Sequence, residues 1–360
     1  MTEATRADVG TLRTLVDAWV ELQQASTLAT LRTDSPAPWA SVGNGAGGIA
    51  WTLGHLAHRL ARPELHDEAR RWLRAARAAA RLRSGFHGGR VGNQPVASSV
   101  WNRGPGLDII ELALHRDLTP ANRRRRKRAV ASLARVLRPI RVPAEIIDGH
   151  AGALLALLAV DRMHADPALV ALGDELATRL VAPARRKPKG AFAHGSIGVQ
   201  HAVVAWALHR AAPLPVAVAR ALDRSPPAAV VAHAPASFAR SWCNGLAGHV
   251  QLWCKAFELT GDQEFRDLAI AAIPRLVEQP AEGGGSLCCG AGGRAYALLA
   301  TERITGDRAL HAHAVQLAAV AVALEDASTG GMLWGFSGLV GLAADLVATD
   351  ELDGRFPWVD

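Results

Sequence analysis

Apolar residues are distributed along this chain in two alternating kinds of segment. One kind is apolar nearly all round, as in residues 151–160 and 295–300, and predicts helices that are buried on every side. The other kind carries a single apolar stripe, as in residues 63–82, and predicts an amphipathic helix. This stripe consists of Leu65, Ala69, Trp72, Leu73 and Ala76. The chain is therefore expected to alternate between inner and outer helices.

A Gly-x-x-Gly pattern recurs seven times, in steps of 44 to 60 residues, and indicates an internal repeat. Its copies are Gly45/Gly48, Gly89/Gly92, Gly149/Gly152, Gly195/Gly198, Gly245/Gly248, Gly290/Gly293 and Gly338/Gly341. Residues that favour a helix start follow several copies in phase, namely Asp166, Asp262, Asp307, Pro63, Pro167 and Pro213. Seven helix pairs predict an all-α protein, either a closed α/α toroid or an open solenoid, and periodicity does not distinguish them. We expect residues 1–360 to form one domain.

The composition supports helices, because aromatic residues make up only 5% of a chain that is 49% hydrophobic. The N-terminus lacks the apolar core of a signal peptide. The longest uncharged stretch, from Ser35 to His58, is interrupted by Pro, Gly, Ser and Asn, so no membrane span is expected. Four cysteines in 360 residues do not form a disulfide framework. A cytoplasmic location fits these features best.

The net charge is +7, and its most local source is the run Arg123–Arg128. This run follows Thr119 and Pro120, which are a suitable cap and first residue for a helix. Two interpretations stay open: a solvated helix face, or a docking patch for an acidic segment. Nucleic acid is not an expected partner, because no aromatic side chains alternate with these charges.

Three cysteines fall at matching positions of two neighbouring repeats. Cys243 and Cys288 precede the first glycine of their copies by two residues, and Cys289 precedes it by one. Adjacent inner helices would therefore bring the three thiols together, although their spacing is not that of a zinc finger. The pattern leaves two interpretations, an open zinc site with three thiolates or inert buried cysteines. Cys254 is expected to be an ordinary buried thiol.

The motifs Trp242-Cys-Asn-Gly245, Cys288-Cys-Gly290 and Ala193-His-Gly195, with the seven glycine copies, resemble the lanthionine synthetase C-like cyclases across essentially the whole chain. The resemblance implies a closed α/α toroid of seven inner and seven outer helices. It also implies zinc held by Cys243, Cys288 and Cys289, in the variant with Cys-Cys-Gly where many members have Cys-His-Gly. Such cyclases add a cysteine thiol to a dehydroalanine or dehydrobutyrine of a precursor peptide, which forms a thioether ring.

The addition needs a proton donor, and histidine is suited to that role. His194 directly precedes the first glycine of the copy next to the one with Cys243, and the family's catalytic histidine maps onto it. His201 and His249, each close to a Gly-x-x-Gly, are the alternatives.

Three further family positions are altered in this chain. The acidic residue that accompanies the histidine corresponds to Glu145, with Asp148 close by. The family arginine upstream of the first cysteine is displaced by one residue, at Arg240, and Asn244 replaces an aromatic residue or histidine. The resemblance thus implies catalytic roles for Glu145 and Arg240.

The implied partners are a dehydrated precursor peptide, with a leader that is often acidic in this family, and a separate dehydratase of the kinase and lyase type. No kinase-like or lyase segment is recognisable in the sequence, so dehydration is assigned to another protein. Two other functions stay open at this point. One is the addition of a small thiol such as glutathione to modified proteins, and the other is a non-catalytic, zinc-bearing module that binds peptides.

Overall fold

The computed structural model describes residues 3–87, 96–115, 119–139, 142–163, 165–181, 190–222, 235, 238, 241–278, 284–327, 329–348 and 355–359. Within these residues the secondary structure is α-helical, with fifteen helices and no strand. No helix in this described part is both long and apolar enough to cross a membrane.

Seven helices form the inner layer of the protein. They are α3 (Ala46–Arg59), α5 (Gly104–Leu114), α7 (His150–Met163), α9 (Ser196–His209), α11 (Leu246–Thr260), α13 (Ala291–Thr305) and α15 (Phe336–Val347). Most of their side chains are buried, as the segments without a polar face predict. Five of the seven begin after a glycine in extended conformation, which ends the entry loop and starts the helix.

Seven helices form the outer layer, and the short α2 (Leu28–Asp34) lies between α1 and α3 in the chain. They are α1 (Glu3–Ala25), α4 (Leu65–Ala79), α6 (Pro120–Leu137), α8 (Pro167–Val181), α10 (Val216–Leu222), α12 (Gln263–Glu278) and α14 (Arg308–Leu324). The predicted stripe on α4 is buried. Asp166, Asp262 and Asp307 each accept a backbone N–H of the following helix, which confirms their predicted capping role.

The inner helices close into a ring. Each packs against the next, and α15 packs against α3, while α1 packs against α15 as the seventh outer helix. At this seam the fully buried Asp345 accepts hydrogen bonds from His55 Nε2 at 3.0 Å and from Tyr296 Oη at 2.8 Å, and Arg59 Nε lies 3.2 Å away. The closed α/α toroid is therefore confirmed, and the open solenoid is excluded.

Two of the predicted glycine copies are not confirmed: one cannot be located, and one is in the wrong register. Gly89 and Gly92 lie outside the described residues, and the second inner helix begins with Gly104, after Arg103 as its cap. The seventh inner helix has Gly335 as its cap, so its copy is Gly335/Gly338 rather than Gly338/Gly341. The other five copies precede inner helices as predicted.

A C-terminal segment fills the axis of the toroid just below the entry loops. Phe356 stacks on Trp242, the neighbour of Cys243, with ring centroids 5.0 Å apart. Trp358 contacts Trp51 at 5.0 Å and Trp101 at 5.2 Å. This aromatic cluster supports the entry loops from below and closes the centre of the ring.

The basic run Arg123–Arg128 lies on α6, whose cap Thr119 accepts the backbone N–H of Asn122 as expected. Arg126 departs from both interpretations of the run because it is buried. It donates to the backbone carbonyl of Leu112 at 3.3 Å and to Asp166 at 2.6 Å, so it joins α6 to two neighbouring segments. The exposed members of the run are Arg123, Arg124, Arg125, Lys127 and Arg128.

Candidate functional site

The entry loops that precede the seven inner helices meet at one end of the toroid. The residues that stand three positions before the first residue of each inner helix are called the collar. The residues that stand two positions before it are called the rim. The collar consists of Gly43, Trp101, Ile147, Ala193, Cys243, Cys288 and Leu333. The rim consists of Asn44, Asn102, Asp148, His194, Asn244, Cys289 and Trp334.

Hydrogen bonds join each collar loop to the next around the ring. The backbone bonds are Ile146 N to Ala193 O (3.0 Å), Ala193 N to Cys243 O (2.6 Å), Cys243 N to Cys288 O (3.2 Å), Cys288 N to Leu333 O (3.1 Å), Leu333 N to Gly43 O (3.2 Å) and Gly43 N to Trp101 O (2.8 Å). The last gap is bridged by a side chain, because Ser99 Oγ donates to Ile147 O at 2.6 Å. The relative positions of the rim residues are thereby fixed by the backbone.

The rim loops share a local brace. The backbone N–H groups of four rim residues each donate to the serine three positions earlier, namely Asn44 to Ser41, Asn102 to Ser99, Asn244 to Ser241 and Cys289 to Ser286. In the third repeat Glu145 takes this position, since its carboxylate accepts the N–H of Asp148. Glu145 is therefore a loop brace whose longer side chain can reach the next repeat.

The three predicted cysteines lie together at this entrance. Their sulfur atoms are all within 4.8 Å of one another, with 3.4 Å between Cys243 and Cys289 and 3.5 Å between Cys288 and Cys289. Cys243 and Cys288 are buried, whereas Cys289 is exposed. Hydrogen bonds from the other two thiols lower the pKa of Cys243 to about 3, and the bond to Cys243 raises the pKa of Cys289 to about 11. The hydrogen bond to Cys243 also raises the pKa of Cys288, so the cluster stabilises one negative charge, on the sulfur of Cys243.

This arrangement fits a zinc ion. Zinc–thiolate bonds of about 2.3 Å in a tetrahedral geometry require sulfur atoms about 3.8 Å apart, which is close to the observed separations. The solvent-facing side of Cys289 leaves a direction open for a fourth ligand. The predicted spare thiol, Cys254, is buried on α11 beside Thr301.

His194 lies on the rim beside the cysteine loop and contacts Glu145. Its Nδ1 is 2.8 Å from Glu145 Oε2, and its side chain is half exposed. The hydrogen bond to Glu145 raises the pKa of His194, which favours the imidazolium form. Because Nδ1 is engaged, Nε2 is the nitrogen available to a bound molecule. Next to this pair, burial and the charge of Glu145 raise the pKa of Asp148.

The alternative histidines have structural positions. His201 is buried on α9, and its Nε2 contacts the carbonyl of Val359 in the aromatic cluster. His249 is buried on α11, where Nδ1 donates to Gly245 O at 2.9 Å and burial lowers its pKa. Neither belongs to the rim.

The two other altered family positions have different outcomes. Asn244 is exposed on the rim, and its side-chain nitrogen lies 3.4 Å from Cys243 Sγ. Arg240 lies outside the described residues. Sequence reasoning missed the remaining rim residues Asn44, Asn102 and Trp334, although they stand at the same phase as His194 and Cys289.

Comparison with known proteins identifies a family and a solved structure with the same fold. The family model described as lanthionine synthetase C-like protein matches residues 39–358. The chain belongs to the lanthionine synthetase C-like family. Among solved structures, nisin cyclase has the same fold, with a TM-score of 0.65 at 13% sequence identity, covering 96% of this chain and 98% of that chain. A search of curated proteins gives no match.

In this lanthionine synthetase C-like chain the family match begins after α1 and α2. The seventh outer helix, α1, therefore lies outside the matched residues although it completes the outer layer by packing against α15.

The Glu145→Gln variant is expected to lower the pKa of His194, because it keeps the shape of residue 145 but removes its negative charge. In the parent protein the His194–Glu145 pair stabilises the fold fully below the ordinary histidine pKa of about 6.5. This stabilisation is lost as the pH rises through the raised pKa of His194. Titration of histidine side-chain NMR signals measures the change. Glu111→Gln, which alters a carboxylate paired with His115, is the matched control. An unchanged titration of His194 in Glu145→Gln would contradict the assignment.

Proposed function

We propose that this chain is a zinc-dependent lanthipeptide cyclase, which adds cysteine thiolates of a dehydrated precursor peptide to dehydroalanine or dehydrobutyrine. The observation that supports it best is the shared entrance. A cluster of three thiols and a half-exposed histidine with a raised pKa lie on neighbouring rim and collar positions of one mouth. Addition of a thiol to an electron-poor double bond needs these two elements, a stabilised thiolate and a proton donor.

Cys243, Cys288 and Cys289 would hold the zinc ion. When bound, zinc supplies a fourth position that keeps a substrate thiol deprotonated near neutral pH. Three anionic ligands reduce the Lewis acidity of the metal, so the sulfur of the substrate stays nucleophilic. The amide of Asn244, which donates to Cys243 Sγ, further stabilises charge in the cluster.

His194 and Glu145 would handle the proton. The thiolate attacks the β-carbon, a carbon–sulfur bond forms, and the electron pair of the double bond moves to the α-carbon and its carbonyl as an enolate. His194 Nε2–H gives its proton to the α-carbon, and the carboxylate of Glu145 holds the ring through Nδ1 and stabilises the imidazolium before transfer. Solvent at the half-exposed rim then restores the proton. Arg240 is proposed as a further catalytic residue on the family resemblance alone.

The proposed partner is a peptide whose leader docks outside the mouth, at the opposite end of the toroid. The inner helix that precedes α6, α5, has 11 residues and is about 16 Å long, so the start of α6 lies about that far from the rim. A groove of about 610 Å³ runs between α6 and the start of α8. Basic side chains of the run, including Arg123 and Lys127, border its apolar floor of Val130, Ala131 and Ala134. This combination suits an acidic amphipathic segment.

One zinc ion per chain is expected in protein purified without added metal. Cys243→Ala should lose most of this zinc, since it removes one of three ligands, whereas Cys254→Ala should retain it because Cys254 lies outside the cluster. Elemental analysis of both variants and of the parent gives the comparison. Absence of zinc from the parent, or equal zinc in parent and Cys243→Ala, would rule out the proposed centre.

The reaction itself is tested by incubating the protein with a dehydrated peptide and following the loss of free thiol. His194→Asn should keep zinc and fold but slow cyclisation roughly a hundredfold to ten-thousandfold, the range for loss of a general acid. His209→Asn, at a partly exposed histidine that contacts Asp161 at the far end of α9, serves as the histidine control for fold and zinc content. Parent-like turnover in His194→Asn would refute its role, and consumption of only a small thiol would refute the peptide reaction.

Replacing Arg123, Lys127 and Arg128 with Gln tests the docking of the leader, because Arg123 and Lys127 border the groove. Buried Arg126 is left intact because it joins α6 to Asp166. Affinity for an acidic leader peptide is expected to fall about tenfold at low salt and less at moderate salt, as exposed charges within a Debye length would require. The same replacement of exposed Arg74, Arg81 and Arg83, on α4 and just after it, is the charge-matched control. Equal affinity and salt dependence in both triple variants would show that α6 has no special role.

A further inference from the structure

One side of the rim has no part in the proposed chemistry. Around the ring, His194 occupies the fourth rim position, and the positions farthest from it are Trp334 in the seventh repeat and Asn44 in the first. Asn102 follows in the second repeat, between Asn44 and Asp148. These three side chains are half-buried at the mouth, which makes them accessible to a bound molecule.

The indole of Trp334 lies over Gly43, the collar residue that has no side chain. Gly43 stands below it, and a Cβ atom at Gly43 would lie 2.4 Å from Trp334 Cζ3, so any larger residue would displace the ring. The part of the chain that the structure describes provides no hydrogen-bond partner for the indole N–H. Trp334 thus presents an aromatic surface and a free donor at the entrance.

The two asparagines add amide groups beside this indole. Neither side chain is needed to brace its loop, because the braces use the backbone N–H groups with Ser41 and Ser99. Among the described residues the Asn44 side chain has no hydrogen-bond partner. The Asn102 amide lies beside the Asp148 carboxylate, whose negative charge it stabilises, and its Oδ1 lies 3.2 Å from the Cβ position of Gly43, so this oxygen faces the Trp334 side.

We propose that Asn44, Asn102 and Trp334 form a subsite that binds the backbone of the substrate peptide across the mouth from His194. An asparagine amide both donates and accepts, as a peptide group does, so it can bind a backbone without selecting its side chains. The indole supplies an apolar surface of low conformational entropy and one further donor. The inference rests on the proposed function in one respect, that the substrate is a peptide.

The size of the ring sets the reach of this subsite. Inner helices packed 8 to 10 Å apart place opposite members of a seven-membered ring about 20 Å apart, which an extended chain spans with about six residues. Trp334 is the rim neighbour of Cys289, one helix spacing away, so the subsite would contact residues about three to six positions from the reacting groups. Its contribution should appear in binding of the peptide rather than in the chemical step.

The test uses a peptide of about twelve Ala and Gly residues with one dehydroalanine and one cysteine, and an unreactive analogue with serine at both positions. Asn44→Ala and Trp334→Leu are each expected to raise KM for the first peptide and Kd for the analogue about tenfold, with much smaller changes in kcat and with zinc content retained. Asn122→Ala, at a partly exposed asparagine on α6, is the matched control. Thermal unfolding of each variant separates loss of binding from loss of fold.

The outcomes distinguish this inference from the proposed function. If the parent cyclises the first peptide but both variants keep the parent KM and Kd, the subsite is refuted and the cyclase proposal stands. If the parent binds the analogue but consumes no thiol, and the variants bind it about tenfold more weakly, the subsite stands and the cyclase proposal fails. Lack of any binding of the analogue by the parent would refute the subsite.

Discussion

The ring of hydrogen bonds between the entry loops is the constraint on which the rest of the site depends. An inner helix alone would leave its preceding loop free to move, and three cysteines from two loops would then have no fixed relation. The collar joins each loop to both neighbours, and two of its seven members, Cys243 and Cys288, are themselves thiol ligands of the candidate centre. The geometry of the thiols therefore depends on closure of the toroid, because the hydrogen bonds of the collar are complete only when α15 packs against α3.

Much of this arrangement is predictable from the sequence, because residues at the same position of each repeat lie at the same height in the ring. This correspondence brings the three cysteines together and sets His194 beside them. It fails where the glycine pattern is ambiguous. The second glycine of a copy is required by close contact, since a Cβ at Gly106 would lie 1.9 Å from Val100 O. The first position is an extended cap that Arg103 can occupy as well as glycine does, so a search for glycine pairs misses the second copy. In the seventh copy the overlapping pairs Gly335/Gly338 and Gly338/Gly341 leave the register ambiguous in the sequence.

The residues that sequence reasoning could not interpret are those whose environment comes from elsewhere in the ring. Arg126 looks like its exposed neighbours in the basic run, and only the approach of Asp166 buries it. Glu145 illustrates the reverse case, in which an acidic side chain is explained by its own loop. Glu145 occupies the position of the serines that brace the other loops. Because its side chain is longer, it also contacts Nδ1 of His194 in the next repeat and orients that ring. The proposed catalytic pair thus arises from an ordinary structural position of the repeat.

The aromatic cluster on the toroid axis has a consequence for the order of events during translation. Trp242, adjacent to a thiol ligand, is stacked on Phe356, and the collar partner of Cys288 is Leu333. Both partners leave the ribosome after the cysteines they support. Contacts so distant in sequence form slowly and late, as does the packing of α1 against α15. The nascent chain therefore exposes its three thiols before their support exists, and capture of the proposed zinc ion would belong to the final stage of folding.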